Sequence, residues 1–270
     1  MSYRNYLAAE EELQVRLSEV ESHASGLLVG RINVWPPRRT RGREVLGLIQ
    51  DSGFDLVIVR AGAEDVELAA TLNSPTLISW QADTLLYFEI STMSLAIGDA
   101  SDGLVRLTPD DESAAEVLVE RIFADYRNHY SSNPILREIN VVAAYRDWAR
   151  TALGSNKNAV FVALSPNGSA SGLCVTDVDD ESYDEVLLAG VVPEERGRGA
   201  YQDMVRRIGL QARDAGKESL VISTQAANLS VMRAWCRLGF LPTIALNTFH
   251  VMRRGVYQAR AGDRVERTGQ

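Results

Sequence analysis

Only two cysteines, Cys174 and Cys236, and three histidines occur in 270 residues. Two cysteines cannot build a disulfide framework, and neither has metal-ligand spacing with His23, His129 or His250, so no metal is expected. Long apolar runs are also missing: no stretch nears the roughly 20 residues that cross a bilayer. The segment Met1 to Leu13 is polar and carries no secretory signal, which predicts a reducing cytoplasm and no membrane partner. Positive charge is in deficit. The formal net charge of -8 excludes broad nucleic-acid binding, even with the run Arg38-Arg39-Thr40-Arg41-Gly42-Arg43, which reads as a solvated loop or as a loop meeting ligand phosphates. With 46% hydrophobic residues the chain can bury one large or two modest cores.

What is present is a turn, Arg196-Gly197-Arg198-Gly199-Ala200, between the apolar run Val186 to Val192 and an amphipathic stretch from Tyr201 to Ala215. Tyr201, Met204, Val205, Ile208, Ala212 and Ala215 recur at three- and four-residue intervals, which predicts a helix. Its first N–H groups lack intrahelical partners, the peptide dipoles add there, and glycine lets an oxygen come close. The segment therefore reads as a phosphate site. A Walker loop would need a lysine and hydroxyl pair, and a dinucleotide fingerprint a third glycine with a distant acid; neither is present. Next come the β-rich run Ser219 to Gln225, a helix opened by Asn228 and closed by Leu238-Gly239-Phe240, and a last strand from Pro242 to Met252.

This order resembles the GNAT family of acyl-coenzyme A dependent N-acetyltransferases, whose signature is Arg/Gln-x-x-Gly-x-Gly/Ala followed, after one strand, by Asn and a helix ending in Gly-Phe. Tyr201 stands where that family has Gly or Ala, so its side chain either crowds the pyrophosphate or points into the core. The resemblance covers about residues 105–253. It implies an α/β fold with a mixed, mostly antiparallel sheet flanked by helices: helices from Leu107 to Tyr126 and from Arg137 to Ala152, then strands Ala159 to Leu164, Gly172 to Thr176 and Glu185 to Val192. Residues 1–104 read as a smaller N-terminal α/β domain. There Arg43 to Ser52, Gly53-Phe54 and Asp55 to Arg60 echo the helix, Gly-Phe, strand ending, either as a truncated duplicate half or as a common unit. Leu85 to Ile90 adds a strand, Gly103-Leu104-Val105 a linker, and the acetyltransferase domain spans 105–254. Residues 255–270 read as a polar, frayed tail.

The resemblance implies acetyl-CoA as acyl donor and a primary amine as acceptor. Loose similarity to the TDP-fucosamine acetyltransferase group, carried by the front segment, Asn128 to Pro134, Tyr145 to Trp148 and Ser223 to Asn228, implies an amino sugar on a nucleotide. Amine attack on a thioester needs a held acyl group, a proton acceptor and a route for the thiolate. For the first, the family opens two strands like a V; the backbone of Gly190, Val191 and Val192 is expected to pair with the pantetheine arm, and Arg196 to Tyr201 with Asn228 to hold the rest. For the base, Glu185 is the first choice and the alternative is a solvated strand-start carboxylate; strand alternation puts it on one face with Leu187 and Ala189. His129 is the runner-up, and His129 with Tyr130 lies where the family binds acceptor. Trp235 stands at the family's usual tyrosine. Its indole is no acid, so it packs over the cofactor arm or in the core, and Tyr145, Tyr130 or His250 could replace it. A non-catalytic acyl-CoA binder and transfer of a different acyl group, including from a carrier protein, remain open, as does a homodimer.

Overall fold

The computed structural model describes residue 3 and residues 13–34, 42–96, 103–126, 128–137 and 139–260. Ten strands form one sheet: β1 Arg16–Leu17, β2 Val29–Val34, β3 Leu56–Gly62, β4 Leu77–Ser91, β5 Leu104–Arg106, β6 Asn158–Leu164, β7 Ala170–Asp177, β8 Tyr183–Val191, β9 Ser219–Gln225 and β10 Leu241–Arg253. Their spatial order is β1-β2-β3-β10-β4-β9-β8-β7-β6-β5. Neighbours are antiparallel except β2 with β3 and β8 with β9. The sheet crosses the 104/105 boundary without a break, because β10 lies between β3 and β4 of the front segment. Leu104 to Arg106 is an edge strand on β6 instead of a linker.

Alternation along the strands divides the core. On one face Val160, Val162, Leu173 and Val175 meet α4 (Glu112–Phe123) and α5 (Val141–Leu153). On the other, Ala159, Phe161 and Cys174 meet α6 (Ala200–Asp214) and α7 (Leu229–Leu238). The described part of the front segment includes α1 Glu19–Ser25, α2 Gly42–Asp51 and α3 Val66–Thr71. Val45 and Ile49 of α2 and Leu68 of α3 cover Ile32, Val57, Val59, Phe249 and Val251. The opposite side of those strands is closed by residues 128–137 and 139, with Leu136 against Leu56, Ile58 and Met252.

The second acetyltransferase helix starts four residues later than predicted. The Asn140 side chain accepts from Ala143 N–H at 3.1 Å and caps α5 there, leaving Arg137 in the turns before it. Residues 254–260 are helical, so the tail is ordered further than its lack of periodicity suggested. Arg38 to Arg41 lie outside the described residues; Gly42 and Arg43 open α2. No described helix is long and apolar enough to cross a membrane.

Candidate functional site

The glycine turn delivers the backbone its sequence called for. Gly197 and Gly199 have φ of 75° and 86°, a left-handed conformation that glycine adopts freely. A Cβ built on either meets nothing within 4 Å, so the space before the N-terminus of α6 is open. Gly199 is the N-cap and no side chain caps the helix. Arg196 does not face this opening: its Nη2 donates to the Ile122 carbonyl at 2.8 Å and ties the turn to α4. Arg198 is exposed. A cleft of about 740 Å³ adjoins the turn, lined in part by Leu164, Ser165, Gly168, Arg198, Ala200 and Arg207.

Strands β8 and β9 pair only from Tyr183/Ser219 to Val186/Ile222. Beyond that β8 keeps pairing with β7 and β9 with β4, so a V opens between Leu187–Val191 and Ser223–Gln225. Its cause is a β-bulge: Val175 faces Leu188 while Thr176 faces Val186, leaving Leu187 as an extra residue that bends β8. The bulge overturns the expected shared face. Val186 packs toward α6 and Leu188 toward α4, and Ala189 belongs with the α6 side, opposite Glu185. It also corrects the backbone assignment. Val192 N–H donates to Ser171 O at 2.9 Å, so by alternation Val192 and Gly190 address β7, while Val191 and Ala189 address the V. Gly190 serves packing, since a Cβ there would lie 2.3 Å from Ile122 Cγ2.

No family model and no curated protein matches the chain. Solved structures do. The fold is similar to a conserved protein of unknown function from Staphylococcus epidermidis, with a TM-score of 0.61, 10% identity and coverage of 94% of this chain and 97% of that one. A GCN5-related N-acetyltransferase from Sphaerobacter thermophilus gives 0.59 at 15% identity over 89% of this chain and 76% of its own. One from Kribbella flavida gives 0.55 at 13% over 83% and 81%. The fold is that of the GNAT acetyltransferases. In this chain α6 follows the glycine turn, and β4 of the front segment pairs with β9.

Two phenols reach the V of this GNAT fold. Tyr126, just past α4, faces the Thr224 hydroxyl; burial pushes it up to about 12, Tyr145 and Asp83 add to that, and Thr224 opposes it. Tyr201, from the first turn of α6, points inward instead of toward the turn. Its Oη accepts the Trp235 indole N–H at 3.2 Å, and burial raises its pKa. Trp235 is 1% exposed, packed on Phe88 and Phe240 with ring centroids at 5.3 and 6.5 Å. It is part of the core between the sheet and α6 and α7.

Glu185 is 2% exposed, so it is not a solvated strand-start acid. Its Oε2 accepts the Tyr3 backbone N–H at 2.6 Å, and the Tyr3 ring lies tilted against Tyr87 and edge-on to Tyr183. The carboxylate thus sits at the apex of the V, on the α4 side, beneath the front of the chain. Asn228 is the α7 N-cap by position, yet its side chain caps nothing: Nδ2 donates to Thr224 Oγ1 and Oδ1 accepts from Ser230 Oγ, each at 3.2 Å.

The acceptor-side candidates come together over β3, β10 and β4, but His129 is not poised as a base. Asn133 Oδ1 accepts from Ile135 N–H at 2.8 Å, which turns its Nδ2 donor toward His250 Nδ1 at 3.3 Å. His250 then carries its proton on Nε2 and donates it to His129 Nδ1 at 2.9 Å. The basic nitrogen of His129 is occupied. Burial, then the Arg60 charge, holds His129 well below its usual value; burial and the Arg31 and Arg60 charges push His250 down to about 3. Neither is an acid at neutral pH. Tyr130 donates to Glu21 Oε1 at 2.7 Å, and Glu21 also binds Arg31 at 2.5 Å, so burial and that carboxylate raise the phenol far out of acid range. Tyr145 meets Phe123 edge-on and lies tilted against Tyr126, its pKa raised by burial and eased by Asn128. Sequence reasoning missed Tyr126, Arg60 and Asp83, which share this side of the sheet.

Proposed function

We propose that the chain is an N-acyltransferase that moves an acetyl group from acetyl-CoA to a primary amine in a ternary complex. The observation that carries this reading is the bulge-opened V beside an uncapped helix N-terminus with an open glycine turn. The residues present suit the donor. The α6 N–H groups, free of side-chain caps, would take the pyrophosphate, the cleft at Arg198 and Arg207 has room for the nucleotide end, and the backbones of Ala189 and Val191 would pair with the arm. An N–H from that edge donates to the carbonyl oxygen as negative charge develops on it.

In the reaction a C–N bond forms as the C–S bond breaks. Glu185 is the acceptor of the amine proton by way of water, and the thiolate leaves without an acid from Trp235, since a thiol ionises near 8.5 and takes its proton from solvent. The narrower resemblance points to a nucleotide-linked amino sugar; Arg38 to Arg41, which would meet its phosphates, lie outside the described residues, and Arg31 is engaged by Glu21. A second reading, a non-catalytic acyl-CoA binder, is favoured by the buried Trp235 standing where the family has its tyrosine acid.

The test is calorimetry with acetyl-CoA, followed by thiol release with an acceptor panel that includes a nucleotide amino sugar. Gly199→Asp sets a carboxylate and a strained φ at the anion site and is expected to weaken binding at least about tenfold. Unchanged affinity refutes the turn as the pyrophosphate site. Binding without thiol release from any amine selects the second reading.

A further inference from the structure

One of the chain's own residues fills the slot beside Glu185. Glu185 of β8 pairs with Val221 of β9, and Val221 with Glu89 of β4, so the two carboxylates stand in one row on the α4 side, about 10 Å apart across two strand spacings. Tyr3 bridges them. Its N–H donates to Glu185 Oε2 at 2.6 Å, and its Oη lies 3.5 Å from Glu89 Oε2. Between these ends the buried ring occupies a slot made by Tyr87, Tyr183, Val221 and Leu246, with centroids 5.5 and 5.4 Å from the rings of Tyr87 and Tyr183. Burial, then the Glu89 charge, raise the phenol, so it keeps the proton that it offers to Glu89.

What occupies the slot has a definite chemical form. From backbone nitrogen through Cα and Cβ to the ring, a tyrosine residue is an arylethylamine, and here its nitrogen meets the carboxylate beside the last β8–β9 pair, Val186 with Ile222. Tyr3 is placed as an acceptor would be. It cannot react, because its nitrogen is a peptide amide with no basic lone pair. A free amine of the same skeleton is the stronger ligand, since an ammonium makes a charge-assisted bond to Glu185 that is roughly twice as strong as a neutral one. At the other end 3.5 Å is long for an O–H···O bond, usually about 2.7–2.8 Å, so the fit of Tyr3 is poorest there. Tyr3 lies outside the ten strands, and these two partners are 182 and 86 residues away in the chain, so its departure breaks no ladder bond of the sheet.

We propose that Tyr3 is an internal stand-in for the acceptor: it closes the slot over Glu185, and the acceptor that displaces it is an arylethylamine, with its ammonium at Glu185, its ring between Tyr87 and Tyr183 and a ring hydroxyl toward Glu89. In the transfer the ammonium loses a first proton to Glu185 and attacks, the C–N bond forms as the C–S bond breaks, the nitrogen sheds its second proton to water and the thiolate takes one from solvent. The inference rests on the acetyl-transfer reading above for that step only.

The probes are tyramine and isopentylamine, which lacks the ring. In calorimetry without acetyl-CoA, the full chain carrying Tyr3→Gly, whose slot is emptied, is expected to bind tyramine at least about tenfold more tightly than the unmutated chain does, and about tenfold more tightly than it binds isopentylamine. An affinity that does not rise in Tyr3→Gly, or that rises equally for isopentylamine, overturns the proposal. A melting transition shows that the variant is folded. Should it not fold, the unmutated chain carries the test through hydrogen exchange: its Tyr3 amide, held by Glu185, is expected to exchange faster at saturating tyramine, and an unchanged rate overturns the proposal equally. Thiol release separates the two claims. Tyramine that binds Tyr3→Gly in this way without any release upholds the slot and rejects the transfer reading, whereas release from other amines with no tyramine binding does the reverse.

Discussion

Gly190→Ala tests the packing that opens the V. The added Cβ would sit 2.3 Å from Ile122 Cγ2 and 3.2 Å from Phe123 Cζ, the first more than an ångström inside the carbon–carbon contact distance of about 3.5 Å. Ile122 Cγ2 is fixed to its own Cβ and cannot swing aside as a long side chain would. Backbone retreat is also resisted, because the Ile122 carbonyl is held by Arg196, and Ile122 and Phe123 are buried against Val160, Leu173 and Leu188. Overpacking of this kind costs about 1–3 kcal/mol, which in a chain of this size lowers Tm by roughly 2–10 °C. Urea unfolding followed by tryptophan fluorescence reads it. Ile122→Ala alone costs about 2–5 kcal/mol as a cavity, but in the double variant the new methyl has space, so the two losses should fall short of additivity by about 1 kcal/mol or more. A Gly190→Ala variant within about 0.5 kcal/mol of the unmutated chain, or strict additivity with Ile122→Ala, would refute the close approach of α4 to β8.

The buried histidine pair predicts acid sensitivity. Because both folded values lie below the unfolded 6.5, stability is complete above that pH. It is lost as protons bind the unfolded chain, by about 2 kcal/mol for the pair between pH 6.5 and 5.5. Urea unfolding across that range checks it, and a slope unchanged in a His129→Asn, His250→Asn double variant would contradict it. Trp235→Phe removes the indole N–H from Tyr201 and part of a packed ring, so it should cost about 2 kcal/mol in a melt. Thiol release by the folded variant should stay within about tenfold, since the indole supplies no proton; a near-complete loss would place Trp235 in the chemistry.

The glycine turn and α6 were legible because local rules set them: two glycines at positive φ, then apolar residues at helical spacing. Three things were not. The bulge at Leu187 has no residue signature, so alternation was carried through it and placed Ala189 and Glu185 together. Glu185 is buried by Tyr3, which stands 182 residues away in the chain. His129 and His250, 121 residues apart, quench each other's basicity through a hydrogen bond that neither neighbourhood announces. Asp83 was passed over for a related reason: only Leu85 to Ile90 of the long strand β4 reads as apolar, and the polar start of that strand acquires meaning from β10.

The placement of β10 between β3 and β4 also governs how the molecule is made. A ribosome releases β4 about 150 residues before it reaches β10, which at 5–20 residues per second is a wait of roughly 8–30 s. Throughout that interval β3 and β4 each present a bare strand edge, rich in valine, isoleucine and leucine, with its proper neighbour not yet synthesised. Such edges are templates for pairing with other nascent chains. A chain cut before residue 241 would keep them permanently, and is expected to be a client of chaperones or to aggregate, even though every residue of β3 and β4 is present.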